Sequence, residues 1–144
     1  MKVVIPGHPA QRSRVIERVV CEARAKGFSD SDCFGISLAL TEALTNAVEH
    51  GNRGDLARNV AIEYGVTADT VRISVRDEGR GFDPGSVPDP TLDENLAKLS
   101  GRGLMLMRSS MSRVRFNDQG NCVTMVKHKD RAGSIGFRTS ARSA

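Results

Sequence analysis

Glu42 and Asn46 stand four residues apart in Glu42-Ala43-Leu44-Thr45-Asn46-Ala47-Val48-Glu49-His50-Gly51. At about 100° per residue, Glu42, Thr45, Asn46 and Glu49 share one stripe of a helix, while Ile36, Leu40, Ala43, Leu44 and Ala47 share another. The apolar stripe buries itself against a neighbouring element. The polar stripe needs water or a ligand, and on its own the pair reads first as a solvated face. Two glycine-bearing turns further along change the weighing. In Asp77-Glu78-Gly79-Arg80-Gly81-Phe82 an aspartate leaves a strand ahead of alternating glycines. Such a carboxylate can accept a hydrogen bond from a ligand amine while the backbone approaches closely, although a plain strand-ending turn has the same composition. In Gly101-Arg102-Gly103-Leu104 the glycines sit at a helix start. Exposed N–H groups and the helix dipole favour an anion there; a flexible connector reads equally well. Neither turn is a dinucleotide fingerprint or a P-loop.

Periodicity supplies the scaffold around these residues. Residues 2–5 suit a short strand stopped by Pro6. Val15, Ile16, Val19, Val20 and Ala23 predict a helix from about Ala10 to Lys26, ended by Gly27. Ser29-Asp30-Ser31-Asp32 offers N-caps for the central helix, read from about Ser31 to His50 and closed by Gly51. Asn59–Val66 and Thr70–Arg76 alternate as a hairpin, with Val60, Ile62, Tyr64, Val71, Ile73 and Val75 inward. Residues 83–100 hold three of the five prolines and no periodicity, as functional or mobile loops do. A helix from Gly101 to about Met111 buries Leu104 and Met107, and Arg113–Asn117 with Asn121–His128 forms a second hairpin. This order predicts an α+β single domain, with three helices on one face of a mixed, mostly antiparallel sheet. The folded domain spans residues 1–129, and 130–144 is a basic tail too polar to build a core.

Composition narrows the classes. A 144-residue chain with 39% hydrophobic and 26% charged residues can bury one core. No apolar run approaches the roughly 20 residues that cross a bilayer, and no signal peptide begins the chain, so a cytosolic, membrane-free protein is expected. Cys21, Cys33 and Cys122 form no metal-binding spacing and read as reduced structural thiols. The net charge of +4 resides in the tail, because five basic residues and one acid follow Val126 and the rest holds 16 of each. With no Trp and one Tyr, a direct nucleic-acid surface is disfavoured.

Taken together, the Glu42–Gly51 stretch, Asp77-x-Gly79-x-Gly81-Phe82 and Gly101-Arg102-Gly103-Leu104 resemble the Bergerat-fold (GHKL) ATPases, which include gyrase-type, histidine-kinase and MutL-type domains. Within that superfamily, "EALTNAVEHGN" and "GRGLMLMRSSMSRVRFNDQGNCVTMVK" are most similar to the small anti-sigma factor serine/threonine-protein kinases of bacterial partner-switching systems. The resemblance implies a Bergerat-type sandwich with an ATP lid at residues 83–100. It implies ATP and Mg²⁺ as cofactors, with Asn46 holding the metal and Glu42 acting as catalytic base. It further implies that Asp77 binds the adenine amine, that Gly79 and Gly81 pass close to the base, and that Gly101, Arg102 and Gly103 meet phosphates. Thr124 matches a position that adds a hydrogen bond near adenine. Two departures stand out: Met105 replaces a glycine common in histidine kinases, and Ser112 replaces a frequent Asp.

The implied function is an ATP-dependent kinase and anti-sigma factor that sequesters a sigma factor and phosphorylates a STAS-domain anti-anti-sigma factor, as a homodimer. The alternative is a nucleotide-binding switch that controls a partner without phosphoryl transfer. Glu42 argues for the kinase, since binding alone requires no base.

Overall fold

The computed structural model describes residues 1–79 and 101–130. Strand β1 (Lys2–Pro6) leads into helix α1 (Pro9–Ala25), then helix α2 (Asp30–Thr45) and a π-helical turn (Asn46–Gly51). Strands β2 (Asn59–Val66) and β3 (Thr70–Arg76) come next, then helix α3 (Gly101–Ser110) and strands β4 (Arg113–Phe116) and β5 (Cys122–His128). The sheet order is β1-β2-β3-β5-β4. The element order predicts a mixed sheet, yet all four pairings among the described residues are antiparallel.

Local chemistry explains the boundaries. Pro9 opens α1 at a position where its missing N–H costs nothing. Gly27, at φ 90°, closes it: Phe28 N–H donates to Ala23 O and Gly27 N–H to Arg24 O, while Phe28 packs into the core. Ser29 Oγ caps α2 by accepting the Asp32 N–H at 3.0 Å. Pro6, expected to stop β1, is its last residue. It is tolerated there because β1 is an edge strand.

Burial alternates along β2, β3 and β5, so one face of the sheet carries the helices and the other meets solvent. A single core cluster joins Val15 and Val19 of α1, Ile36, Leu40 and Leu44 of α2, Met107 of α3, and Ile62, Ile73 and Met125 of the sheet. Met111 is buried as well, and Leu104 packs against the cluster. All three cysteines are free thiols; Cys33 lies in the core. Among the described residues, no helix is long and apolar enough to cross a membrane.

Candidate functional site

The end of α2 departs from α-helical geometry at the residues that carry the polar stripe. Asn52 N–H donates to Ala47 O at 2.8 Å, the i→i+5 bond of a π turn. One extra residue in a turn rotates the downstream residues by about 100°, and such turns recur at functional sites. The apolar stripe is as expected: Ile36, Leu40, Ala43, Leu44 and Ala47 are all buried. The polar stripe divides. Glu49 is exposed, whereas Glu42, Thr45 and Asn46 are half-buried. Asn46 Oδ1 is fully buried with no hydrogen-bond partner among the described residues. An orphaned buried carbonyl oxygen costs about 1–3 kcal/mol, so this atom fits a waiting ligand better than a structural role. A hard oxygen donor of this kind suits Mg²⁺, which commonly takes one or two protein ligands and completes its shell with phosphates and water.

Gly51, at the end of this helix, lies against the second turn. A Cβ at Gly51 would fall 2.3 Å from the Asp77 carboxyl carbon, and one at Gly79 would fall 2.0 Å from Gly51 O. The Asp77 side chain is therefore packed between two backbones that admit no side chain of their own. Asp77 Oδ1 accepts the Gly79 N–H at 2.7 Å, and Asp77 N–H donates to Asn121 O at 2.9 Å. Burial pushes the Asp77 carboxyl above the ordinary carboxylate range, against the Gly79 N–H and the Arg76 and Arg58 charges, which pull it down.

Helix α3 supplies the third wall. A Cβ at Gly35 would lie 3.0 Å from Ser110 O, so the last residue of α3 sits against the first turns of α2. Only about five residues of α2 precede that contact, so α3, packed along α2, runs back toward Glu42 and Asn46. Its start, with Gly101, exposed Arg102 and buried Gly103, turns the positive end of the helix dipole toward that end of the layer.

The structure thus brings Glu42, Asn46, Asp77, Gly79 and the Gly101–Gly103 helix start to one end of the helical layer. Gly81 and the lid expected at 83–100 lie outside the described residues, as does the tail at 131–144. Thr124 is a correction. It pairs with Ser74, its Oγ1 lies 2.9 Å from Ser74 Oγ, and it lines a groove of about 450 Å³ with Arg72, Arg76 and Arg115 on the helix-free face. Alternation sends Val123 and Met125 inward and Thr124 outward, away from Asp77. Asn121 occupies the place near Asp77 instead, with its Nδ2 donating to Gly79 O at 3.4 Å. Sequence reasoning missed Gly51, Asn52 and Asn121 as site residues. The sequence marks Gly51 only as a helix stop, and only the close approach to Asp77 reveals its second role.

A helical layer over an antiparallel sheet, with an amide–carboxylate helix beside an Asp-x-Gly turn, is the α+β sandwich that comparison with known proteins then identifies. A family model described as a histidine kinase-like ATPase domain matches residues 5–127. The chain is 35% identical to serine-protein kinase RsbW of Bacillus licheniformis over 119 residues, which is 76% of this chain and 72% of the relative. It is 33% identical to serine-protein kinase RsbW of Bacillus subtilis (strain 168) over 115 residues, 74% of this chain and 71% of that one. The fold also matches a crystal structure of the RsbU and RsbW domains of Rv1364c from Mycobacterium tuberculosis. That match has a TM-score of 0.58 and 21% identity, covering 92% of this chain and 33% of the other. The chain belongs to the histidine kinase-like ATPase family and, within it, to the RsbW serine-protein kinases.

Proposed function

We propose that this protein binds ATP with Mg²⁺ and transfers the terminal phosphoryl group to a serine or threonine of a STAS-domain anti-anti-sigma factor. In the same reading it is an anti-sigma factor that sequesters a sigma factor when that antagonist is phosphorylated, acting as a homodimer in the cytoplasm. The observation that carries the reading is the buried, unpartnered Asn46 Oδ1 one turn from Glu42, which has no hydrogen-bond or ion-pair partner among the described residues.

Each residue then has a task that its environment supports. Asn46 Oδ1 holds the metal, which when bound neutralises phosphate charge. The Asp77 carboxylate accepts a hydrogen bond from the adenine amine, and the side-chain-free backbones of Gly51 and Gly79 let it be approached. Backbone N–H groups at the start of α3, with Arg102, meet the phosphate oxygens. Glu42 orients the substrate hydroxyl and takes its proton. Catalysis in this arrangement is positioning and electrostatics.

Incubating the protein with terminally labelled ATP and a STAS-domain protein encoded beside it tests the reading. Label on a serine or threonine of the STAS protein is expected. Measured ATP binding without transfer would leave only the nucleotide switch.

A further inference from the structure

We propose that Asn52 is a positioning residue that sets the Asp77 turn against the metal-binding helix, so that adenine recognition and phosphate binding are held in one frame. The inference rests on the nucleotide reading above. Asn52 is 1% exposed, and a buried amide of this kind must find partners for both its ends. Its Nδ2 donates to Asn59 O at 3.0 Å, at the first residue of β2. Its Oδ1 accepts the Glu78 N–H at 2.8 Å, inside the Asp77–Gly79 turn. Asn59 N–H in turn donates to Glu78 Oε2 at 3.0 Å. These three bonds close a ring through Asn52, Asn59 and Glu78. Asn52 N–H meanwhile completes the π turn on Ala47 O, one residue after Asn46.

The ring joins three segments that the sequence keeps apart: the helix carrying Asn46, the start of β2, and the turn carrying Asp77. The rotation introduced by the π turn is what aims the Asn52 side chain at the other two. Asp77 is wedged between the Gly51 and Gly79 backbones and held by bonds to Gly79 N–H and Asn121 O, which are local to the turn and the neighbouring strand end. The amide of Asn52 adds the restraint, at the next residue Glu78, that ties this turn to the end of the helix.

The test uses the full chain with ATP and GTP as probes, titrated calorimetrically with Mg²⁺, and phosphoryl transfer to the STAS protein. Wild type should prefer ATP, because the guanine edge offers no amine where adenine presents one. Asn52→Ala should weaken ATP binding about tenfold, one restraining hydrogen bond's worth, and reduce the ATP-over-GTP preference by a similar factor. Transfer at saturating ATP should change less than about twofold, since Glu42 and Asn46 are untouched. Glu78→Ala, at an exposed residue, opens the ring without emptying a buried site and should lower ATP affinity about threefold. A purely structural asparagine would lower the melting temperature and leave the base preference intact, and that result overturns the proposal. Asp77→Asn separates the two layers. If it removes the preference while Asn52→Ala and Glu78→Ala do not, the positioning role fails and the site stands. If wild type shows no preference and Asp77→Asn changes nothing, the nucleotide reading falls and takes the inference with it.

Discussion

The two ends of α2 are built differently. At its N-terminal end the helix is capped and its buried carboxylate faces a cation, although Asp32 Oδ1, like Asn46 Oδ1, accepts no hydrogen bond among the described residues. Ser29 caps the helix, the buried Asp32 faces Lys127 Nζ at 3.9 Å, and Asp130 N–H donates to Asp32 Oδ2 at 3.2 Å. Lys127 also donates to Ser110 O at 3.1 Å, closing off the end of α3. At the C-terminal end the helix loosens into a π turn, Asn46 Oδ1 is buried and orphaned, and the Asp77 carboxyl is held in an environment that disfavours its charge. At one end the Lys127 ammonium faces the open carboxylate oxygen and ties the layers together; at the other, no described residue faces the open amide oxygen. That difference, and not composition along the helix, distinguishes the end proposed to bind nucleotide.

The comparison breaks most visibly at Glu42. Glu42→Ala should leave ATP affinity within about twofold and cut phosphoryl transfer by roughly 10²–10⁴, the range of a general base. Single-turnover transfer and calorimetry measure the two quantities separately, and an equal loss in both would place Glu42 in binding. At the closed end the pattern should reverse. Asp32→Ala removes the charge partner of Lys127 and the acceptor for the Asp130 N–H, and should cost about 1–3 kcal/mol of stability in urea denaturation. The folded fraction should still bind ATP as wild type does; weakened binding would show that the two ends are not independent.

How much of this was legible in the sequence depends on what kind of order set each feature. Both hairpins and the three helices arise from apolar periods, and their ends agree within a residue or two, counting the π turn as the end of the central helix, because the caps are local: Pro9, Gly27 and Ser29 act through neighbours in the chain. That Glu42 and Asn46 share one half-buried helix face was legible because four residues is about one helical turn. Thr124 was misplaced because motif likeness gives a position along a strand without the parity that decides its face. Gly51, Asn52 and Asn121 were not legible, since each matters through contacts with a segment some 26 to 42 residues away. Nor could spacing show that the helix changes to a π turn at Asn46, where tertiary packing overrides local propensity.

A smaller effect should appear in the pH response of Asp77. Its folded carboxyl titrates above the ordinary value of about 4, so the folded chain holds a proton that the unfolded chain has released. Between the ordinary value and the raised one, stability of the ligand-free protein falls as pH rises, and above the raised value the cost is complete. Asp77→Asn removes that charge and should raise the ligand-free melting temperature by about one or two degrees at pH 7. The advantage should shrink as the pH is lowered toward about 4. Thermal melts of both proteins across that range check the sign, and a difference that grows on acidification would contradict it.

The smallest expected effect is also the sharpest test of which sheet face belongs to the site. Asn121 and Thr124 are three residues apart, yet one touches Gly79 and the other touches Ser74 on the helix-free face. Thr124→Val loses the hydroxyl pair with Ser74 and should cost about 0.5–1 kcal/mol of stability, with ATP affinity unchanged within about twofold. Asn121→Ala loses side-chain contacts to Asn117 Nδ2, Arg76 Nη1 and Gly79 O, and the last belongs to the Asp77 turn, so ATP affinity should fall a few-fold. Parallel titrations decide the matter. If Thr124→Val weakened ATP binding and Asn121→Ala did not, strand parity would have assigned the wrong face, and the arginine-lined groove beside Thr124 would become the place to look for the base.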